Sequence, residues 1–306
     1  MTAPAILAVA LLAGPLLAGP SAGQGSPCDN ALGVEMPSRC SQLDSKGPLD
    51  GAANFRQPLI PKRLDPREGL LFRSEALHEL SDFAVSQLQR LNVKTVVDFR
   101  SPDEIRDAPD RLPRRVKAAV NLPIGSDPAR FAELIDAETL ARIRPLWMAG
   151  RFETVDRILR DAGIDLRAER RRRYAEFATD FEPQLRRFLL LLADERNLPL
   201  VFHCQGGKDR AGFASAVLLR LLGASASETL RDYRATNLFT YEEIRADLER
   251  APAALHPSIG AHSEQLQAAF AAVDAKYGTF ERYLARGLGL TPTIQSKIRR
   301  NLLRQP

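Results

Sequence analysis

Val201-Phe202-His203-Cys204-Gln205-Gly206-Gly207-Lys208-Asp209-Arg210-Ala211-Gly212-Phe213 is the stretch on which the fold of this chain turns. An apolar run, Leu198 to Phe202, leads into it, and a second, Phe213 to Leu222, leads out. The first is short and predicts a buried strand; the second is longer, rich in Ala and Leu, and predicts a helix. Between them a loop with two glycines opens on a cysteine and closes on an arginine six positions later. Strand, loop and helix N-terminus in that order make an anion cradle with a thiol at its base.

The thiol brings the chemistry, because a cysteine attacks only as its thiolate. Two features favour that form at Cys204: the free N–H groups of a helix beginning near Ala211, and the full charge of Arg210. The N–H groups from Gln205 to Arg210 are expected to turn inward around a tetrahedral oxyanion, with Gly206 and Gly207 permitting the curl. Arg210 offers a planar fork to two non-bridging oxygens. A phosphoryl group held this way lies over the sulfur, in line for displacement. The products are a cysteinyl-phosphate and then, with water, free phosphate.

The whole chain has 306 residues, room for one large domain or two small ones, and a formal net charge of +5. Its arginines are spread along the length, which favours acidic ligands only weakly, and no nucleic-acid partner is expected. Ile6 to Leu17 is an apolar run too short to span a bilayer, followed by small residues and prolines from Ala18 to Ser26. This reads as a secretory signal peptide over 1–22, hence an exported protein, periplasmic or secreted, without a transmembrane span. The alternative is a buried N-terminal helix, which Gly14, Pro15, Gly19 and Pro20 oppose.

Residues 23–52 read as a linker. Cys28 and Cys40 lie close together in it. In an exported protein this pair is expected to form a disulfide, leaving Cys204 as the free thiol; the alternative is that both are reduced. Only Cys204 has an arginine six residues later, since Val34 and Lys46 hold that place for the other two. The four histidines, His78, His203, His256 and His262, are scattered, and neither metal nor other cofactor is expected.

Gly69 to Ser74 reads as a turn followed by a short strand, and further strands are predicted at Lys94 to Phe99 and Ala118 to Ile124. His78 to Asn92 is amphipathic and predicts a helix, and Ser101-Pro102-Asp103-Glu104 predicts another helix start. Residues 126–175, which hold Trp147 and end in Arg170-Arg171-Arg172-Arg173, predict an inserted, mostly helical flap. Helical spacing continues to Leu192 with a break or kink at Pro183. Ser225 to Glu228 and Thr240 to Glu243 both fit capping boxes, introducing helices near 226–237 and 241–250. Ser263 to Tyr277 and Thr291 to Leu303 predict the last two. Strands alternating with helices give an α/β fold: a central, mostly parallel sheet flanked by helices, with a helical C-terminal part.

The loop resembles the active-site loop of the cysteine-dependent protein tyrosine phosphatases. Its Gly-Lys-Asp-Arg version is similar to a bacterial subgroup of secreted tyrosine phosphatases that also act on serine/threonine phosphates and phosphoinositides. Asn54-Phe55-Arg56, Gly69 to Leu77, Val96 to Glu104 and Tyr283 to Leu290 resemble segments of the same subgroup. The resemblance implies a phosphatase-like catalytic domain of the dual-specificity type over 53–306. It implies Cys204 as nucleophile and Arg210 as phosphate clamp, with Gln205, Gly206, Gly207 and Ala211 lining the phosphate site. Lys208 would be a second cation facing an acidic substrate, and His203 would order the loop through backbone hydrogen bonds.

The general acid stays open between Asp98 and Asp209, with Asp127 at the root of the flap a third candidate. The structural alternatives are pairing of Asp98 with Arg100 or Arg210, and of Asp209 with Lys208 or Arg73. One position departs from the subgroup: Ala211 stands where Thr or Ser is usual, whose hydroxyl helps the sulfur leave in the second step. The expected activity is phosphomonoester hydrolysis on a phosphotyrosine protein, with phosphoinositides or inositol phosphates as the runner-up substrate. A sulfurtransferase, whose loop is usually one residue shorter, and a weakly catalytic phosphate-binding module, motivated by Ala211, are the other classes. The Arg167 to Arg173 run reads as a solvated helix face or as a contact for phosphoinositide headgroups or a membrane surface. Trp147 and Phe152 read as a lid over the site or as flap core.

Overall fold

The computed structural model describes residues 28, 32–38, 40–43, 49–125 and 135–304. Residues 1–22, where a signal peptide is expected, and Asp127 lie outside these residues. Four strands, β1 (Leu71–Ser74), β2 (Thr95–Asp98), β3 (Ala118–Asn121) and β4 (Leu200–His203), form one sheet in the order β1-β4-β2-β3, every pair parallel. Parallel neighbours need a crossover, and helices supply each one. β1, β2 and β4 are buried at every position, so their apolar or β-branched residues come consecutively rather than alternating, with Arg73, Ser74, Asp98 and His203 as buried polar residues at their C-terminal ends. β3 lies at the edge and alternates between half-buried and exposed.

The last strand in sequence sits between the first and second. The chain leaving β4 therefore emerges between the C-terminal ends of β1 and β2, the kind of switch point where crevices open in α/β sheets. Helix α1 (Asp82–Arg90) joins β1 to β2 and α2 (Pro102–Asp107) joins β2 to β3. The predicted cap of α2 is formed on both sides: Ser101 Oγ accepts from Glu104 N–H, and Glu104 Oε2 accepts from Ser101 N–H. A cap of this kind stabilises a short helix by about 1 kcal/mol.

The flap contributes α3 (Ala137–Met148) and α4 (Phe152–Asp161), which share a small core of their own around Ile143, Phe152, Val155 and Leu159, closed by Leu255. Trp147 meets Phe152 edge to face at 5.3 Å between centroids, so the pair belongs to the flap core. α5 (Leu166–Thr179) and α6 (Glu182–Leu192) follow, and Pro183 falls in the first turn of α6, where its missing N–H costs nothing. α7 (Arg210–Leu222) is buried at every position but Arg220, the central helix of the main core. α8 (Ala226–Phe239), α9 (Tyr241–Arg250), α10 (Ser263–Tyr277) and α11 (Pro292–Leu302) complete the helical C-terminal part.

Three local readings need correcting. The capping box at Ser225 forms, but the one at Thr240 does not. Thr240 ends α8 and starts α9 without an extended residue between them, and its hydroxyl donates back to Thr236 O at 2.8 Å. The described part of the 23–52 linker is docked: Val34 is fully buried with Ile244 and Leu248, and Glu35 accepts from Ser263 N–H at 2.9 Å and pairs with Arg234 at 2.7 Å. Cys28 and Cys40 are disulfide-bonded, with Cα atoms 5.6 Å apart. The Arg167 to Arg173 run is not one solvated face. Helical periodicity turns Arg170 and Arg173 inward, to 1% and 4% exposure. Arg167 and Arg171 pair with Glu264, and Arg172 pairs with Glu169 and Glu176.

Candidate active site

Residues 204–209 carry the chain from the end of β4 to the start of α7, and Cys204 is a free, buried cysteine at their beginning. Arg210 opens α7 and faces Glu104 with both prongs: Nη1 donates to Oε2 at 2.7 Å and Nη2 to Oε1 at 2.8 Å. Nη1 also reaches Phe99 O at 3.3 Å. Burial pulls the Arg210 guanidinium down, but Glu104 outweighs it and, with Cys204, holds it above its usual range. Glu104 shows the complement: burial raises it, and Arg210 brings it below the ordinary carboxylate range. A planar, two-oxygen anion thus sits in the fork at the N-terminus of α7.

One wall of the site is built on Asp98, at the end of β2. Asp98 Oδ2 accepts from Arg100 Nε at 3.0 Å and Nη2 at 2.8 Å, so its guanidinium partner is Arg100. The same Nη2 donates to Asp110 at 2.8 Å. His203 Nε2 lies 3.0 Å from Asp110 and Nδ1 lies 3.3 Å from Cys204 O, which ties the ring to the loop backbone and to this wall. Asp110 is raised by burial, yet His203 and Arg100 bring it below its usual range. Asp98, Asp110 and His203 offer ligand-type atoms within 4.8 Å of one another, with the Arg100 guanidinium placed between the two acids.

The other wall is built on Asp209. Its Oδ1 accepts from Arg170 and, at 2.6 Å, from Tyr174 Oη. Tyr174 Oη lies 2.6 Å from Tyr233 Oη, which donates to Gln265 at 2.8 Å, and Gln265 Nε2 donates to Pro257 O at 2.6 Å. Burial raises Asp209, but Arg170 and Lys208 hold it well below the carboxylate range and so ionised. Lys208 Nζ stands 4.0 Å from Asp209 and donates to the carbonyls of Ser258, Ile259 and Gly260 at 2.7, 3.2 and 3.3 Å. Its three protons are directed at this turn rather than free for a substrate. Burial, aided by Arg170 and opposed by Asp209, pulls the ammonium down to about 8.

The two glycines differ. Gly207 has φ +64°, and a Cβ there would lie 2.6 Å from Asn54 Nδ2 and 2.7 Å from Glu75 N, so only glycine fits. Gly206 has an ordinary φ and open space, so the steric argument does not extend to it. Gln205 precedes them and Ala211, fully buried, follows Arg210 in the first turn of α7.

Sequence reasoning missed Glu104 as a partner of Arg210, because its capping role accounted for it. It also missed Asp110, Arg170 and Tyr174. None of these carries a local signal toward Cys204, since only the crossing of β2, the flap helices and α7 brings them together.

A thiol at the end of the central strand, an arginine at the start of the central helix and the five residues between them form the candidate site of a cysteine-dependent phosphatase. The model of the tyrosine phosphatase family matches residues 48–304, and the chain belongs to that family. It is 29% identical to the triple specificity protein phosphatase PtpB of Mycobacterium tuberculosis, over 83% of this chain and 98% of the relative. A putative tyrosine-protein phosphatase of Cupriavidus necator, H16_A0669, is 27% identical over 72% of this chain and 75% of its own length. A tyrosine-protein phosphatase of Nostoc commune is 25% identical over 77% and 75%. The chain is accordingly a protein tyrosine phosphatase, and family membership excludes the sulfurtransferase reading.

Proposed function

We propose that Cys204 is the nucleophile and Arg210 the phosphate clamp of this phosphatase. The observation that carries the assignment is the two-pronged grip of Arg210 on a planar anion, on a helix N-terminus electrostatically coupled to Cys204. A phosphate dianion exchanges for the Glu104 carboxylate in that fork. The thiolate attacks phosphorus, the S–P bond forms, and the P–O bond to the leaving oxygen breaks. Water then attacks the cysteinyl-phosphate, the S–P bond breaks and phosphate leaves.

In this reading Asp209 is an ionised anchor rather than a proton donor at rest, because a guanidinium grips it, and Asp98 anchors the other wall through its bonds to Arg100. The leaving-group proton is assigned by comparing Asp98→Asn, Asp209→Asn and Asp127→Asn on phosphate esters of high and low leaving-group pKa. The donor is the residue whose loss matters far more for the poor leaving group. Ala211 supplies no hydroxyl to the departing sulfur, so the second step is slow and phosphoenzyme accumulates. Ala211→Thr is expected to shrink the burst and raise turnover.

Phosphotyrosine is the first substrate class. The relative named for triple specificity supports a wider range, with phosphoserine/threonine peptides and phosphoinositides the next to test. Export is supported by the apolar run Ile6 to Leu17 and by the Cys28–Cys40 disulfide, a bond characteristic of oxidising compartments. The central test is hydrolysis of p-nitrophenyl phosphate in EDTA by the protein and by Cys204→Ser. Metal-independent hydrolysis that disappears in Cys204→Ser is expected; hydrolysis undiminished in that variant sinks the assignment.

A further inference from the structure

Three consecutive carbonyls of the loop are each held from outside it. Gln205 O accepts from Ala76 N–H at 2.9 Å, Gly206 O from Asn54 Nδ2 at 3.2 Å, and Gly207 O from Arg73 Nη2 at 2.6 Å. A peptide unit is planar and trans, so its N–H points away from its C=O. Pinning these carbonyls to the surrounding protein turns the N–H groups of Gly206, Gly207 and Lys208 to the opposite, concave side, where an anion is received. The left-handed Gly207 is the residue that lets successive peptides point the same way, and it is pressed so closely on Asn54 and Glu75 that no side chain fits between.

The anchors are rigid. Asn54 and Arg73 are both fully buried. Arg73 Nη1 is fixed on Asp232 at 2.7 Å, and Asn54 N–H donates to Glu75 at 3.3 Å. Converging N–H dipoles repel one another when no anion lies between them, so an unbraced loop relaxes by rotating a peptide. Bonds to the three carbonyls oppose that rotation, and they come from residues far from the loop in sequence.

We propose that Asn54 and Arg73 are positioning residues that keep the loop's N–H groups converged before substrate arrives. Neither touches the reacting atoms. Their effect is that charge developing on the equatorial oxygens of the transition state meets donors already in place. The inference rests on the loop being the phosphate site, as assigned above.

Inhibition constants test it, because they report on the folded fraction only and a purely structural defect leaves them unchanged. Orthovanadate stands for the five-coordinate transition state and inorganic phosphate for the ground state. Asn54→Ala removes the donor, and Asn54→Asp keeps the size but sets an acceptor against Gly206 O. Both are expected to raise the vanadate constant by about tenfold and the phosphate constant by much less, with the larger change in Asn54→Asp. Arg73→Lys, which retains a cation for Asp232 but withdraws the second prong, is expected to do the same. A vanadate constant within twofold of the parent in both Asn54 variants overturns the proposal. A parent protein that vanadate does not inhibit overturns the phosphatase assignment instead. Should the variants fail to fold, NMR of the parent decides: the amide signals of Gly206, Gly207 and Lys208 must move on titration with phosphate, and unmoved signals overturn the proposal.

Discussion

Two buried arginines flank the same loop and each pairs with a carboxylate, yet they do different work. Arg210 grips Glu104, which hangs on the six-residue helix α2 and has a side chain 10% exposed. Arg73 grips Asp232, which is 1% exposed and crowded: it also accepts from Arg56 Nη1 at 2.8 Å, Leu59 N–H at 2.9 Å and Ser215 Oγ at 2.8 Å. The first acid has one guanidinium partner and lies near solvent, so a phosphate can take its place. The second is shared among four donors and is part of the frame. Ion-pair chemistry alone does not distinguish a clamp from a brace; the number of other partners on the acid does.

Breaking the two pairs separates them most sharply. Arg210→Met is expected to lower kcat/KM by about 10⁴-fold, the range in which a charge-stabilising arginine contributes to phosphoryl transfer. The check is steady-state hydrolysis of p-nitrophenyl phosphate. Asp232→Asn is expected to act on stability instead, lowering it by about 4 kcal/mol, because two buried guanidinium groups lose their counter-charge. Urea unfolding followed by circular dichroism measures this. Should Asp232→Asn unfold at the parent's midpoint, the brace reading fails.

Glu104→Gln sharpens the exchange idea. Without the competing carboxylate, inorganic phosphate is expected to bind about tenfold tighter, the equivalent of one charge-assisted hydrogen bond. Weaker phosphate binding in this variant would show that Glu104 holds Arg210 in place rather than keeping its seat. The smallest effect concerns Lys208. Its ammonium, drawn down to about 8 by burial, is charged below that pH and neutral above it, so activity is expected to fall as pH rises through about 8. Lys208→Met should remove that limb and lower the plateau by about fivefold. Glu75, raised to about 8 by burial and by Glu243, ionises in the same window, and Glu75→Gln serves as the control.

Much of the architecture was legible because it repeats locally. β2 and β4 are fully buried strands that announce themselves as short, mainly apolar or β-branched runs, whereas β1, equally buried, is announced only by Leu70 to Phe72 before Arg73 and Ser74. The Ser101 and Ser225 caps were legible because a capping box is complete within four residues. Thr240 shows the limit of that reasoning. The same four-residue pattern forms no box there, because the preceding helix runs straight into the next. The linker was misread for a related reason: its composition is loose, but Val34 and Glu35 find partners some two hundred residues later, on α8, α9 and α10.

By itself the sequence singled out the proposed reactive centre, since a thiol, a glycine-bearing arc and an arginine six positions on are contiguous and their chemistry depends on spacing along one short loop. It also determined that this loop lies between a buried strand and a buried helix. Only the tertiary structure decided which carboxylate answers which cation. Asp98 went to Arg100 and Asp209 to Arg170, while Arg210 took Glu104 and Lys208 turned to the carbonyls of 258–260. The physical reason is that a buried charge must find a partner within about 3 Å, and which partners come that close is set by how β2, the flap and α8 to α10 cross the loop. A nucleophile can be read from its neighbours in sequence, whereas its electrostatic surroundings come from neighbours in space.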